Sequence, residues 1–188
     1  MLSIDSVQRF GIPALFLTAL TALFLSAAPA HAASATEIDH DVDQALEAFK
    51  KIDGTKPFLG IAKGVLVFPK VYKAGIGIGG EYGEGALRIK GKTVDYYNTA
   101  AASIGFQLGA QAKSIVILFT DEATLNKFRA SEGWEVGVDG SVALIDIGVG
   151  KAVDTTTIKE PVIGFIFGQK GLMYNLTLEG SKFTKLKK

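Results

Sequence analysis

The sequence predicts an α+β fold that is rich in β-structure. Its core is a curved antiparallel sheet, or a sandwich or barrel-like glycine-rich β core, with an N-terminal helix and one or two short helices. Apolar residues follow a helical period up to about residue 52 and then alternate with a period of two from Gly64 onward. Glycine contributes 22 of 188 residues without a collagen-like triplet, which favours strands, turns and bulges.

The first 32 residues have the pattern of a secretory signal. Arg9 precedes an apolar run over 12–28, and the run closes on Pro29-Ala30-His31-Ala32, an A-x-A cleavage pattern. We expect cleavage near Ala32, and a single domain at 33–188 that is periplasmic or secreted and peripheral to a membrane. The alternative is a retained anchor, since the run reaches the minimum of about 17–18 residues for a membrane span.

Three helices are predicted in the mature chain. The first covers 36–52, where Thr36 and Asp39 resemble a capping box. A short helix is expected over 57–63, and another begins after Asp121 as its N-cap. The first helix has one apolar stripe, formed by Ile38, Val42, Ala45, Leu46 and Phe49.

Strands are predicted in the rest of the chain. The first ends at Pro69, a second has Gly75, Gly77 and Gly79 on one face, and Asp139-Gly140 is expected to make a two-residue hairpin turn. Faces of glycine allow either close packing of layers or sharp curvature. The remaining predicted strands lie at 103–111, 114–120, 134–138, 142–149, 162–167 and 172–178.

Composition excludes several classes of function. The chain has no cysteine, so disulfides, thiolate metal sites and cysteine nucleophiles are excluded. The net charge of +1 gives no general attraction to nucleic acid. The run 75–80 matches G-x-G-x-x-G but is followed by more glycines instead of a helix, so we interpret it as structural. With His40 as the one histidine of the mature chain, we predict no enzyme, no cofactor and no metal site.

Charge is distributed unevenly along the chain. Residues 33–55 carry six acids and two lysines, whereas 56–92 carry seven basic residues and two acids. Arg88, Lys90 and Lys92 alternate, so they would share one face of a strand. Such a surface suits lipid phosphates, although charge at a strand edge also protects against aggregation. The predicted lipid-binding residues are Lys63, Lys70, Lys73, Arg88, Lys90, Lys92, Lys182 and Lys185.

Several ordered blocks resemble the SYLF-domain family over about 60–181. They include Gly64-Val-Leu-Val-Phe-Pro-Lys70, the glycine-rich run 73–83, the segment 103–111 and Gly171-Leu-Met-Tyr-Asn-Leu-Thr-Leu-Glu-Gly-Ser181. The resemblance implies binding instead of catalysis, since eukaryotic members are associated with phosphoinositide membranes and, in some, with actin regulation. Because the chain has an export signal, we expect no actin partner.

The leading hypothesis is therefore a non-enzymatic lipid-binding protein of the cell envelope. It would contact anionic phospholipid headgroups through the basic surface, without nucleic acid as a partner. The alternative is a protein-interaction or envelope-structural module that docks an envelope protein by its sheet edge or glycine face. An enzyme that uses His40 is a third, weaker hypothesis.

Overall fold

Two very long strands dominate the structure, a computed structural model that describes residues 32–146, 160–171 and 177–188. The helices are α1 (Ala35–Lys50), α2 (Lys56–Ile61) and α3 (Glu122–Ala130). The strands are β1 (Gly64–Ile89), β2 (Lys92–Phe119), β3 (Gly133–Glu135), β4 (Ala143–Asp146), β5 (Val162–Gly171) and β6 (Lys182–Leu186). They form one sheet that curls into a half-barrel, which confirms the predicted β-rich α+β class.

Strand β2 is the centre of the sheet. It pairs with β1 along nearly its whole length, with β5 over 111–119 and with β6 over 96–100. Strand β3 then extends the sheet beyond β6, and β4 extends it beyond β5. The β4–β5 pair is parallel, so the expectation of a wholly antiparallel sheet is wrong at this edge.

Strand β1 is too long to run straight through a domain of this size. Its 26 residues would extend for about 85 Å at roughly 3.3 Å per residue. Register shifts between Phe68 and Val71 and between Ile76 and Ile78 let it curve. Pro69 lies in the first of these irregularities, where a missing N–H is tolerated. The strand therefore continues through Pro69, and the prediction that it ends there is wrong.

Glycines allow the two limbs of β1 to pack tightly against each other. A Cβ atom added to Gly85 would overlap the carbonyl oxygen of Val67 and lie 2.8 Å from Cδ1 of Phe68. A Cβ atom on Gly83 would lie 2.7 Å from the carbonyl oxygen of Lys70. Residues 83–85 thus contact residues 67–70 through bare backbone. At Gly83 and Gly85 the backbone makes a tight layer contact that leaves no room for a side chain.

Replacing Gly85 with alanine is expected to lower the free energy of unfolding by about 3 kcal/mol. The added methyl group has to displace backbone, which costs more than moving a side chain. Gly80→Ala is the matched control, because nothing lies within 4 Å of a Cβ at that position of the same strand. Urea unfolding of both variants tests this; equal stability of the two would contradict the tight contact.

Apolar residues pack on both faces of the sheet. On the inner face, Phe128 of α3 lies at the centre of an aromatic group, 4.9 Å from Tyr97, 4.8 Å from Phe119 and 5.9 Å from Trp134 between ring centroids. On the outer face, the stripe of α1 packs against the sheet together with Phe58 of α2. The described chain from residue 33 onward belongs to one compact unit.

The predicted helices are confirmed, but one cap differs. Helix α1 begins after Ser34, whose Oγ accepts a hydrogen bond from the Glu37 N–H, while the Glu37 carboxylate accepts one from the Ser34 N–H. The capping box is therefore Ser34–Glu37 and not Thr36–Asp39. Asp39 has other partners on the sheet. Asp121 caps α3 as predicted, since its carboxylate accepts from the Thr124 N–H at 2.8 Å.

The C-terminal part of the chain differs most from expectation. The Asp139-Gly140 hairpin is wrong: Gly137 (φ 89°) opens the turn, and the Asp139 carboxylate accepts from the Glu135 N–H at 2.7 Å. Strand β6 was not predicted, because Lys182 and Lys185 were interpreted only as lipid-binding residues. Two parts of the predicted strands lie outside the described residues. They are 147–149, from the strand predicted at 142–149, and 172–176, from the strand predicted at 172–178.

Candidate functional site

Helix α1 lies against the basic segment of the chain and neutralises part of it. The Lys70 ammonium is 2.7 Å from the Asp41 carboxylate, and the hydrogen bond between them raises the pKa of Lys70. The Arg88 guanidinium is 2.8 Å from Asp43 and 3.5 Å from Asp39. The acidic and basic segments that the sequence shows are thus partners of each other within one molecule.

Arg88 and Asp39 fasten the helix to the sheet. Asp39 accepts hydrogen bonds from the Thr93 hydroxyl at 2.6 Å and the Tyr96 hydroxyl at 2.9 Å, and Arg88 also donates to the Asp39 carbonyl oxygen at 3.2 Å. Burial, with the hydrogen bond to Asp39, raises the pKa of Tyr96. The Arg88 side chain is only 13% exposed. The main role of Arg88 is therefore to hold α1 against the sheet.

Lys90 occupies the tight turn between β1 and β2. Lys90 (φ 51°) and Gly91 (φ 76°) both have positive φ, as two-residue hairpin turns of the I′ class require. Lys90 and Lys92 are exposed, whereas Arg88 points under α1. The prediction that these three residues share one strand face is therefore wrong, because the strand alternation ends at the turn.

A groove of about 340 Å³ lies between α1, α2 and this turn. Among the lining cations, Arg88 pairs with Asp43, and Lys50 pairs with Glu47 at 2.7 Å. The other two, Lys63 and Lys90, have no acidic partner among the described residues. The charged lining consists of Lys50, Lys63, Arg88, Lys90, Asp43 and Glu47. The groove therefore holds two unpaired ammonium groups, which suit an anion.

The other predicted lipid-binding residues lie elsewhere. Lys73 is 6% exposed and faces the interior. Lys182 and Lys185 are on β6, where Lys185 lies 2.7 Å from Asp95 and Lys182 is exposed beside Gly133. The structure thus brings Lys63, Arg88 and Lys90 together at one groove, and it leaves Lys73, Lys182 and Lys185 away from its lining.

The comparison with known families finds a match in the C-terminal part of the chain, outside the residues that line the groove. Residues 100–188 match the family model Ysc84, described as Las17-binding protein actin regulator. This match agrees with the resemblance to the SYLF-domain family. The resemblance is thereby confirmed over residues 100–188, whereas the blocks at 64–70 and 73–83 lie outside the match. They belong to β1, which pairs with β2 in the same sheet. No curated protein matches the chain.

The sheet also contains a buried ion pair that was not predicted from the sequence. The Lys113 ammonium lies 2.9 Å from the Glu81 carboxylate, and the two side chains are 1% and 5% exposed. Lys113 Nζ and Glu81 Oε1 are buried and have no hydrogen-bond partner among the described residues. The two side chains are therefore held together by the attraction between their opposite charges. One signal was available: Lys113 shares its strand face with Ile115 and Ile117, which places it inside.

Other kinds of site find no support among the described residues. No group of three His, Cys, Asp or Glu side chains is arranged to hold a metal ion there. His40 is exposed, and its ring nitrogen lies 2.7 Å from Gln44 on the same helix. Within the described ranges, every helix is too short or too polar to cross a membrane.

Proposed function

We propose that this SYLF domain binds anionic phospholipid headgroups through the groove beside the β1–β2 turn. The proposal rests on two ammonium groups, those of Lys63 and Lys90, that line one groove and have no acidic partner among the described residues. Lys92, exposed at the start of β2, adds a third cation next to the turn. Each basic group near an anionic membrane contributes about 1 kcal/mol, so we expect reversible binding that weakens with salt.

The proposal gives the other basic residues different roles. Arg88 holds α1 in place and presents only part of its guanidinium to the groove, and Lys70 is occupied by Asp41. Lys73 is buried and takes no part at the surface. The protein would act without catalysis in the cell envelope, at the periphery of a membrane. The domain as a whole thus serves to hold a small cationic surface against headgroup phosphates.

Removing the three unpaired cations tests the proposal. The variant combines Lys63→Gln, Lys90→Asn and Lys92→Gln; asparagine suits the positive φ at 90 and Arg88 is left intact. At about 1 kcal/mol for each cation, affinity for vesicles of phosphatidylcholine and phosphatidylglycerol should fall roughly 100-fold at low salt. Co-sedimentation with these vesicles and with pure phosphatidylcholine vesicles measures it.

A variant with the same change of charge serves as the control. Lys127→Gln, Lys182→Gln and Lys187→Gln also remove three exposed lysines, none of which lines the groove. If this variant loses as much affinity as the groove variant, binding follows total charge and the groove is not the site. Reversing the charge of Arg88 would be a poor test, because it would also release α1 from the sheet.

A second candidate function is protein binding. It is favoured by the description of the matching family, which names Las17 binding and actin regulation. The expectation that actin is not a partner therefore has no support from the comparison. Co-sedimentation of the purified protein with actin filaments tests this candidate directly. Actin binding that survives the replacement of Lys63, Lys90 and Lys92 would separate this candidate from the lipid proposal.

A further inference from the structure

We infer that the bend in the middle of β1 inserts its apolar tip into a lipid bilayer. This site lies away from the groove and shares with the proposed function only the membrane as partner. Because residues 83–85 pack on residues 67–70, the chain must reverse between them. Gly75 and Gly79 meet at this reversal, where a Cβ atom on Gly75 would lie 2.9 Å from the Gly79 nitrogen.

The tip exposes large apolar side chains. Ile78 is 71% exposed, and Tyr72 and Tyr82 are 60% and 49% exposed on the two limbs behind it. Opposite the two tyrosines, β2 carries small side chains: Ala112 pairs with Tyr72, and Ala100 pairs with Tyr82. Exposed small residues complete this surface, namely Ala74, Gly80, Ala100, Ala102 and Ala110. Together they form the tip surface, in which no described side chain is charged.

The charges around the tip surface also fit a membrane. Glu81 points inward to Lys113, and Glu84 is held by Lys188 at 2.9 Å and by the Tyr82 hydroxyl at 2.8 Å. Lys170, which pairs in register with Ala112, is exposed and has no acidic partner among the described residues. The nearby acids are thus occupied, while a cation remains available for headgroup phosphates.

The shape of the tip favours a bilayer over a protein partner. The described part of the tip surface has eight residues, three of them large, whereas a stable protein interface takes about 20–30 residues on each side. In contrast, an apolar isoleucine at the tip with two amphipathic tyrosines behind it matches a bilayer, whose interior is apolar and whose interface is polar. The hydrocarbon side chain reaches the acyl region, and the amphipathic rings stay at the interface.

A single fluorescent label tests the insertion. Because the protein has no cysteine, Ile78→Cys gives one position for an environment-sensitive dye such as NBD. With vesicles of phosphatidylcholine and phosphatidylglycerol, we expect a blue shift and quenching by lipids that carry a quencher in the acyl chain. Val138→Cys is the matched control, since Val138 is 74% exposed but lies in the turn after β3. Its label should remain in water.

An unlabelled variant gives the energetic test. Ile78→Asp should weaken binding to these vesicles about 10-fold and leave its salt dependence unchanged, whereas Val138→Asp should have no effect. In one outcome, the groove variant binds vesicles as tightly as the unchanged protein while its label at position 78 still inserts. That result would refute the groove as the lipid-binding site and support insertion of the tip. A label that stays in water on bound protein, or a protein that binds no vesicle, overturns the inference. Lipid-free self-association that Ile78→Asp abolishes would assign the tip to a second copy and also overturn it.

Discussion

Replacing Lys113 with methionine is expected to lower the free energy of unfolding by about 3–5 kcal/mol. The change leaves the Glu81 carboxylate buried at 5% exposure without its counter-charge. Removing one member of a buried pair costs more than the pair contributes, because the remaining charge has lost both water and partner. Urea unfolding followed by circular dichroism measures the loss.

Two further variants separate this explanation from a simple packing defect. Adding Glu81→Gln to Lys113→Met removes the second charge and should restore most of the stability. Lys50→Met breaks an exposed pair whose side chains are 46% and 65% exposed, and should cost less than about 1 kcal/mol. A double variant as unstable as the single one would mean that the volume of the lysine, and not its charge, stabilises this part of the core.

The sequence predicted the elements of this fold better than it predicted their charges. The apolar stripe of α1 and the alternation within β1 and β2 are local signals, and both are confirmed. The glycine face was recognised, but its role required the structure. The predicted face was Gly75, Gly77 and Gly79, whereas the glycines that make the tight contact with 67–70 are Gly83 and Gly85.

The candidate site could be predicted only in part, because charge partners are distant in sequence. Lys70 lies 29 residues from Asp41, and Arg88 lies 45 residues from Asp43, so no local pattern reveals that α1 occupies them. Strand alternation did not predict the turn at Lys90 either. Lys63 and Lys90 remain as groove cations because they are the ones that α1 does not reach.

Replacing Phe49 with alanine is expected to lower the free energy of unfolding by about 3–5 kcal/mol. Phe49 is fully buried at the end of α1, with its ring centroid 5.0 Å from Phe165 and 5.5 Å from Phe167. Truncating such a ring removes its burial and leaves a cavity between helix and sheet. Leu46→Ala is the control on the same helix, and should cost less because Leu46 is only half-buried at the groove.

The same variant links the packing of α1 to the proposed binding. When α1 separates from the sheet, Lys70 and Arg88 lose the carboxylates of Asp41 and Asp43 and become available to phosphate. Hydrogen exchange should therefore show faster opening of α1 in Phe49→Ala than in Leu46→Ala. Affinity for anionic vesicles should rise at the same time, since each released cation adds about 1 kcal/mol. Faster opening of α1 without tighter vesicle binding would contradict this link. It would mean that pairing with the carboxylates of α1 does not keep Lys70 and Arg88 from binding the membrane.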